Sequence, residues 1–272
     1  MNNQKTDTIL DTIVAHKILE LQARKAQVPL AELQRVVGQR HLVAEKLSFS
    51  QALSTPREGD IAIIAEIKRA SPSAGTIKAI DAPIEQALAY EQGHCDAISV
   101  LTDEKFFNGS LDDLHEVGQV VITPTIRKDF IIDEYQIFEA ALADAQAFLL
   151  IAAILTKQQI ETFLDLGKQL HLDALVEVHT EEELETVLQT KASIIGINSR
   201  NLKDFSIDRE IVRRLASVIP SDKLVVAESG ISTREDILFV KEAGCRAALV
   251  GTALMKTDNP AQLIMALKGL KQ

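Results

Sequence analysis

IAIIAEIK, residues 61–68, is an apolar run that ends on two charges spaced two apart, Glu66 and Lys68. Side chains alternate between the faces of a strand, so both charges leave the same face of an otherwise buried element. SIIGINSR (193–200) repeats the pattern with Asn198 and Arg200, VVITPTIRK (120–128) closes on Lys128, and DALVEV (173–178) carries Glu177. Burying a charge is costly unless it is paired or used, and strands covered on both faces read as continuous apolar runs. Charge gathered at the ends of several such strands is the sequence form of a site at the mouth of a parallel barrel.

Apolar, β-branched-rich runs begin near Ile61, Ala97, Val120, Ala147, Asp173, Ser193, Leu224 and Ala247, at intervals of 20 (Asp173 to Ser193) to 36 (Ile61 to Ala97) residues. Amphipathic stretches of helical period lie between them, among them PIEQALAYEQG, SLDDLHEVGQ, DEYQIFEAALA and TREDILFVKEAG. Ser110, Asp133, Thr180 and Thr233 are placed to cap helix starts, and Gly93, Gly118 and Gly244 to close them. Eight strand–helix units predict a (β/α)8 TIM barrel. An open doubly wound sheet is the rival, but no G-x-G-x-x-G follows the first strand. Residues 1–55 read instead as helices, TILDTIVAHKILELQARKA and PLAELQRVVGQR, with Pro29 restarting the second. They form an N-terminal helical extension expected to pack on the barrel or cover its mouth. No long linker appears, so residues 1–272 are read as one domain.

The chain has 272 residues, 46% hydrophobic and 25% charged, as in ordinary globular domains. The net charge of −10, with no Lys/Arg block, argues against nucleic acid and membrane surfaces as partners. A small anionic substrate needs only a locally positive pocket. Cys95 and Cys245 lie far apart in Gly-flanked turns, which suits a reducing compartment. The first residues lack a signal-peptide pattern, and the longest apolar run, AFLLIAAIL, is too short to span a bilayer. A cytoplasmic location is expected by elimination.

Glu66 and Lys68 read either as a register-fixing ion pair or as paired catalytic groups. RASPSAG follows them with the hydroxyls of Ser71 and Ser73 around Pro72. Lys128 precedes Asp129 and Phe130. Glu177 lies among Leu175, Val176 and Val178, so its carboxylate must be paired, hydrogen-bonded or catalytic. Lysines and glutamates converging on one mouth supply a proton donor and a proton acceptor. Ser229-Gly230 after the seventh strand and Gly251-Thr252 after the eighth occupy the two loops where barrels commonly hold a phosphate. The histidines (16, 41, 94, 115, 171 and 179) show no metal-ligand spacing, and surface or helix-cap roles are expected for most. Neither a metal nor a redox cofactor is called for.

Taken in order, AEIKRASPSAG, SVLTDEKFFNGS, IRKDFIIDEYQI, FLLIAAIL, ALVEVHTEEEL, IGINSRNL, VAESGIS and LVGTALM resemble the indole-3-glycerol-phosphate synthase family over about residues 9–255. The resemblance implies cofactor-free conversion of 1-(2-carboxyphenylamino)-1-deoxyribulose 5-phosphate in tryptophan biosynthesis. It implies a reaction centre of Glu66, Lys68, Lys128, Glu177, Asn198 and Arg200, with Glu228 as an additional carboxylate. It also implies phosphate contacts at Ser71, Ser229, Gly230, Gly251 and Thr252. Phe107, Phe130, Leu149 and Phe205 match the walls around the anthranilate ring, with Leu101 and Asn108 nearby. Lys128 is the expected acid, with Lys68 competing for the role or holding a substrate anion. Glu177 is expected to stabilise the cationic intermediate, while Glu66 and Asn198 orient their neighbours. Arg200 is expected to brace the mouth through a carboxylate partner. A monomer is expected, with a dimer as the alternative.

Two departures stand out. Thr125 is unusual before Arg-Lys, and LADAQAF lacks the Gly that the family has before the fourth strand. The second should strain a turn on the face away from the chemistry, by ~1 kcal/mol.

Overall fold

The computed structural model describes residues 4–39, 47–72, 75–76 and 83–270. Ser73 and His41 lie outside the described residues. Eight parallel strands form a closed barrel: β1 (Ala62–Ile67), β2 (Ala97–Leu101), β3 (Thr125–Lys128), β4 (Ala147–Ile151), β5 (Asp173–Val178), β6 (Ile194–Asn198), β7 (Leu224–Glu228) and β8 (Ala247–Val250). Each strand pairs with the next, and β1 closes the ring on β8 with Ala62 opposite Ala247 and Ile64 opposite Leu249. The strands are buried on both faces, by side chains inside the barrel and by the helices outside it.

The cap signals act as the sequence implied. The side chains of Ser110, Asp133, Thr180 and Thr233 each accept from a backbone N–H in the first turn of the helix they precede. Gly93 follows helix Pro83–Gln92, and Gly244, with φ 98°, follows helix Arg234–Glu242. Gly118 does not close a helix: Leu111–Val120 runs through it, and the third strand starts at Thr125 rather than near Val120. Pro124 and the polar Thr123 separate the two, so the valines at 120 and 121 belong to the end of a helix. Before the fourth strand Asp144 turns the chain with φ 57°. Asp tolerates the left-handed region better than most residues, which limits the strain.

The helices before the barrel divide between its two ends. α1 (Ile9–Gln27) is capped by Thr8 and buries Leu10, Ile13, Val14, Lys17 and Leu21. α2 (Leu30–Gln39) follows Pro29 and packs on helix Glu134–Leu142. α3 (Phe49–Ser54) starts with a capping box of Ser48 and Gln51 and buries Phe49 and Leu53. Ser50 N–H donates to Asp173 at the start of β5, over 2.7 Å, so α3 closes the N-terminal end of the barrel. α1 lies at the opposite end.

A buried charge network fixes α1 there. Lys17 is 1% exposed, with Nζ 2.9 Å from Asp103 and 3.0 Å from Asp129. Burial opposes its charge, but Asp129, Asp103 and Glu20 outweigh that cost and hold its pKa above the ordinary lysine value. Asp129 also receives Arg127, whose second arm reaches Glu139, and Glu139 is shared with Arg24 of α1. At the barrel's other end Lys268 donates to Asp96 and to the His94 carbonyl, both at 2.7 Å. Lys17→Met leaves Asp103 and Asp129 without their common cation, so we expect a loss of about 3 kcal/mol in denaturant-induced unfolding. A loss below about 1 kcal/mol would show that the network contributes little.

Candidate active site

Four charged side chains reach the C-terminal end of the barrel from its odd-numbered strands: Glu66 on β1, Lys128 on β3, Glu177 on β5 and Glu228 on β7. Each layer of a barrel interior is filled from alternate strands. Ile64, Ile126, Leu175 and Val226, two residues earlier on the same strands, are fully buried beneath the charges. Lys128 Nζ lies 3.0 Å from Glu177 Oε2 and 2.9 Å from Glu228 Oε2. Lys68, one residue beyond β1, is paired with Glu66.

Two glycines make room for these groups. A Cβ at Gly196 on β6 would come within 2.1 Å of Glu228 Oε1, and one at Gly251 within 2.4 Å of Glu66 Oε1. Both glycines therefore sit where a neighbour's carboxylate fills the space of a side chain.

Burial works against all three charges of the central cluster. At Lys128 the attraction of Glu177, Glu228 and Glu66 overcomes it, and the pKa stands above the ordinary lysine value. At Glu177, Lys128 and His179 overcome burial and hold the carboxyl below the usual range. At Glu228 burial prevails over Lys128, Glu177 adds repulsion, and the carboxyl is pushed up. At neutral pH the cluster therefore holds one ammonium, one carboxylate and one carboxyl that tends to keep its proton.

Above this floor is a cavity of about 580 Å³. Leu101, Phe107, Phe130, Leu149 and Phe205 all line it. Phe107 and Phe130 face each other with ring centroids 5.8 Å apart at 39°. Asn108 takes a left-handed conformation, φ 51°, and ends the short helix that carries Phe107. Ser71, Ser229, Gly230, Gly251 and Thr252 also border the cavity. Ser229 and Gly230 are both left-handed, with φ 69° and 71°. Ser199 Oγ donates to the carbonyls of Glu228 and Ser229 at 3.0 and 3.1 Å and holds that turn.

Asn198 and Arg200 line the cavity, but Arg200 differs from the sequence expectation. Its guanidinium donates to the Phe205 backbone carbonyl at 3.1 Å rather than to the expected carboxylate. It braces the loop after β6 through backbone, helped by an antiparallel bridge to Ile207.

His179 differs more. It is 8% exposed, and its Nε2 lies 3.4 Å from Glu177 Oε1 behind the cluster. The strand ends at Val178, and His179, two residues after Glu177, keeps to the same face before the chain enters helix Glu181–Leu188, rather than taking the surface or cap place expected of most histidines. Sequence reasoning also missed Ile9, Leu10 and Ile13 of α1, which form one wall. Their spacing marks the apolar face of a helix, but nothing local says which end of the barrel it covers. Among the described residues no group of three His, Cys, Asp or Glu is arranged to hold a metal ion, and no helix is long and apolar enough to cross a membrane.

Comparison with known proteins agrees with this geometry. The chain is 45% identical over 251 residues to the indole-3-glycerol phosphate synthase of Caldanaerobacter subterraneus subsp. tengcongensis, covering 92% of this chain and 94% of that one. It is 44% identical over 260 residues to the same-named protein of Lacticaseibacillus paracasei, covering 96% and 98%. Among solved structures, a 3-hexulose-6-phosphate synthase matches with a TM-score of 0.62 at 14% identity, over 77% of this chain and 99% of that one. Thiamine phosphate pyrophosphorylase from Pyrococcus furiosus matches with a TM-score of 0.59 at 16% identity, over 78% and 95%. At such identities these two establish the barrel alone. A model of the family described as indole-3-glycerol phosphate synthase matches residues 10–267, and the chain belongs to that family.

Proposed function

We propose that this chain makes indole-3-glycerol phosphate from 1-(2-carboxyphenylamino)-1-deoxyribulose 5-phosphate, by ring closure, decarboxylation and dehydration without a cofactor. The observation that carries the reading is Lys128, held between Glu177 and Glu228 on the floor of an apolar-walled cavity. An ammonium has three N–H donors, and two of these are occupied by carboxyl groups. The third is free for a substrate oxygen, and the Lys128 side chain keeps 13% exposure toward the cavity.

In the first step the aromatic carbon bearing the carboxylate attacks the sugar ketone. Lys128 gives its proton to the ketone oxygen, which becomes a hydroxyl. The ring nitrogen donates its lone pair, and the resulting iminium lies against the Glu177 carboxylate. Carbon dioxide then leaves, its bonding electrons restore aromaticity, and the hydroxyl departs as water with loss of a proton. Glu228, which tends to keep its proton and lies 2.9 Å from Lys128, stands ready to return one to the lysine. Lys68, paired with Glu66, faces the same cavity and suits a substrate anion. Phe107, Phe130 and Leu149 suit the planar ring, while the loops at Ser229-Gly230 and Gly251-Thr252 suit the phosphate.

In this reading the chain works as one barrel domain, with α1 supplying part of the wall through Ile9, Leu10 and Ile13. The reaction belongs to tryptophan biosynthesis in the cytoplasm. A monomer suffices, since every group invoked comes from one chain.

Incubation of the purified protein with the carboxyphenylamino sugar phosphate, without metal or nucleotide, should release carbon dioxide and produce indole fluorescence; the absence of both signals would sink the proposal. Lys128→Ala and Glu177→Gln should each lower kcat at least about a hundredfold while the circular dichroism spectrum stays native. Near-normal turnover in either variant would remove that residue from its role. Gly196→Ala should also lower kcat, by about tenfold or more, by displacing the Glu228 carboxylate. Unchanged kinetics there would show that Glu228 does not need its position.

A further inference from the structure

The His179 imidazole is almost fully enclosed, yet neither ring nitrogen makes a hydrogen bond. Buried polar groups without partners are uncommon and call for an explanation. Here each nitrogen faces a carboxylate: Nε2 lies 3.4 Å from Glu177 Oε1, and Nδ1 lies 3.5 Å from Glu183 Oε2. Glu183 is itself anchored, because it accepts the His179 backbone N–H at 2.7 Å and sits in the first turn of the helix capped by Thr180. Glu177 is anchored on its other oxygen by Lys128. The ring therefore lies between a fixed carboxylate on the outside and a carboxylate of the reaction cluster on the inside.

We propose that His179 is a positioning residue for the reaction: as an imidazolium it bridges Glu183 and Glu177, fixes the Glu177 carboxylate behind Lys128, and keeps it ionised. The proposal rests on the assignment of Glu177 to the chemistry.

Three acidic groups face the ring: Glu177 of β5, Glu183 of helix Glu181–Leu188, and Glu228 of β7 farther off. The cation in the cluster is Lys128, which is separated from the ring by Glu177. Burial disfavours the charged ring, but these carboxylates outweigh it and hold the pKa above the ordinary histidine value. The neutral ring could donate from only one nitrogen, leaving the other lone pair against a carboxylate. The charged ring donates from both, so the geometry suits the cation.

Removing the imidazolium takes a positive neighbour from Glu177, so its pKa rises toward the usual carboxylate range. The acidic limb of the kcat profile, where Glu177 must lose its proton to work, then moves to higher pH.

The test has two arms. Proton and nitrogen NMR of the imidazole in the intact protein should show His179 titrating above 6.5, the ordinary histidine value, with the midpoint falling in Glu177→Gln. This arm needs no turnover, so it separates failure of the bridge from failure of the proposed reaction. In kinetics, His179→Ala should lower kcat about tenfold with KM within about twofold, and move the acidic limb upward. His179→Gln should regain part of kcat by hydrogen bonding without restoring the limb. A His179 midpoint at or below 6.5, unmoved by Glu177→Gln, overturns the bridge. An unmoved acidic limb in a folded His179→Ala protein overturns the positioning role.

Discussion

An ammonium held out of water between two carboxyl groups is the constraint around which this barrel is arranged. Lys128 is tolerated on the barrel floor because Glu177 and Glu228 reach it from two other strands. Removing Glu177 would leave the ammonium without its ionised partner above an apolar layer, where desolvation costs several kcal/mol. Two carboxyls around one cation cannot both ionise cheaply, so Glu177 takes the charge and Glu228 tends to keep its proton. Space is as tightly assigned as charge. Gly196 and Gly251 have no side chain because the carboxylates of Glu228 and Glu66 occupy that volume.

The alternation of β3 separates two tasks along four residues. Lys128 points into the barrel, whereas Arg127 and Asp129 point outward and are almost completely buried beneath the surrounding helices. The outward pair joins Glu139, Arg24 and Lys17 in the network that holds α1 over the mouth. The wall containing Ile9, Leu10 and Ile13 is thus fixed by a network of which Asp129 also borders the cavity, while Arg127, Glu139, Arg24 and Lys17 stand behind it. A period of two lets one short strand place a reactive group on one face and the support of its enclosure on the other.

Most of this was legible because barrel strands announce themselves as apolar runs and their site residues as charges at the run's end. Glu66, Lys68, Lys128, Glu177 and Asn198 were readable from strand parity alone. Glu228, Phe107 and Phe205 needed the family resemblance, since an acidic residue before Ser-Gly, an aromatic on a four-residue helix and one in a loop carry no periodic signal. Val120 misled as a strand start because β-branched residues at a helix end look like the beginning of a strand. His179 went unnoticed because most histidines are expected at surfaces or helix caps, although parity puts it on the face of Glu177, two residues earlier. Arg200 misled because guanidinium partners are as readily carbonyls as carboxylates, and the Phe205 carbonyl was brought near by a left-handed turn at φ 61°. Long-range placement, such as α1 above the mouth and α3 below the floor, is written in no local pattern.

The closure of the ring has a consequence for the chain as it is made. β1 pairs with β8 from Ala62–Ala247 to Ala65–Val250, so the first strand waits for the last before its free edge is covered. At ~5–20 residues per second, roughly ten to forty seconds pass between the synthesis of those two segments. Throughout that interval a nascent sheet presents two unpaired rims, the kind of edge that recruits foreign strands. Helix Pro260–Lys268 follows β8 and ties Lys268 to Asp96 at the end of the barrel opposite the cavity, a latch that can fasten only after the closing strand has been made.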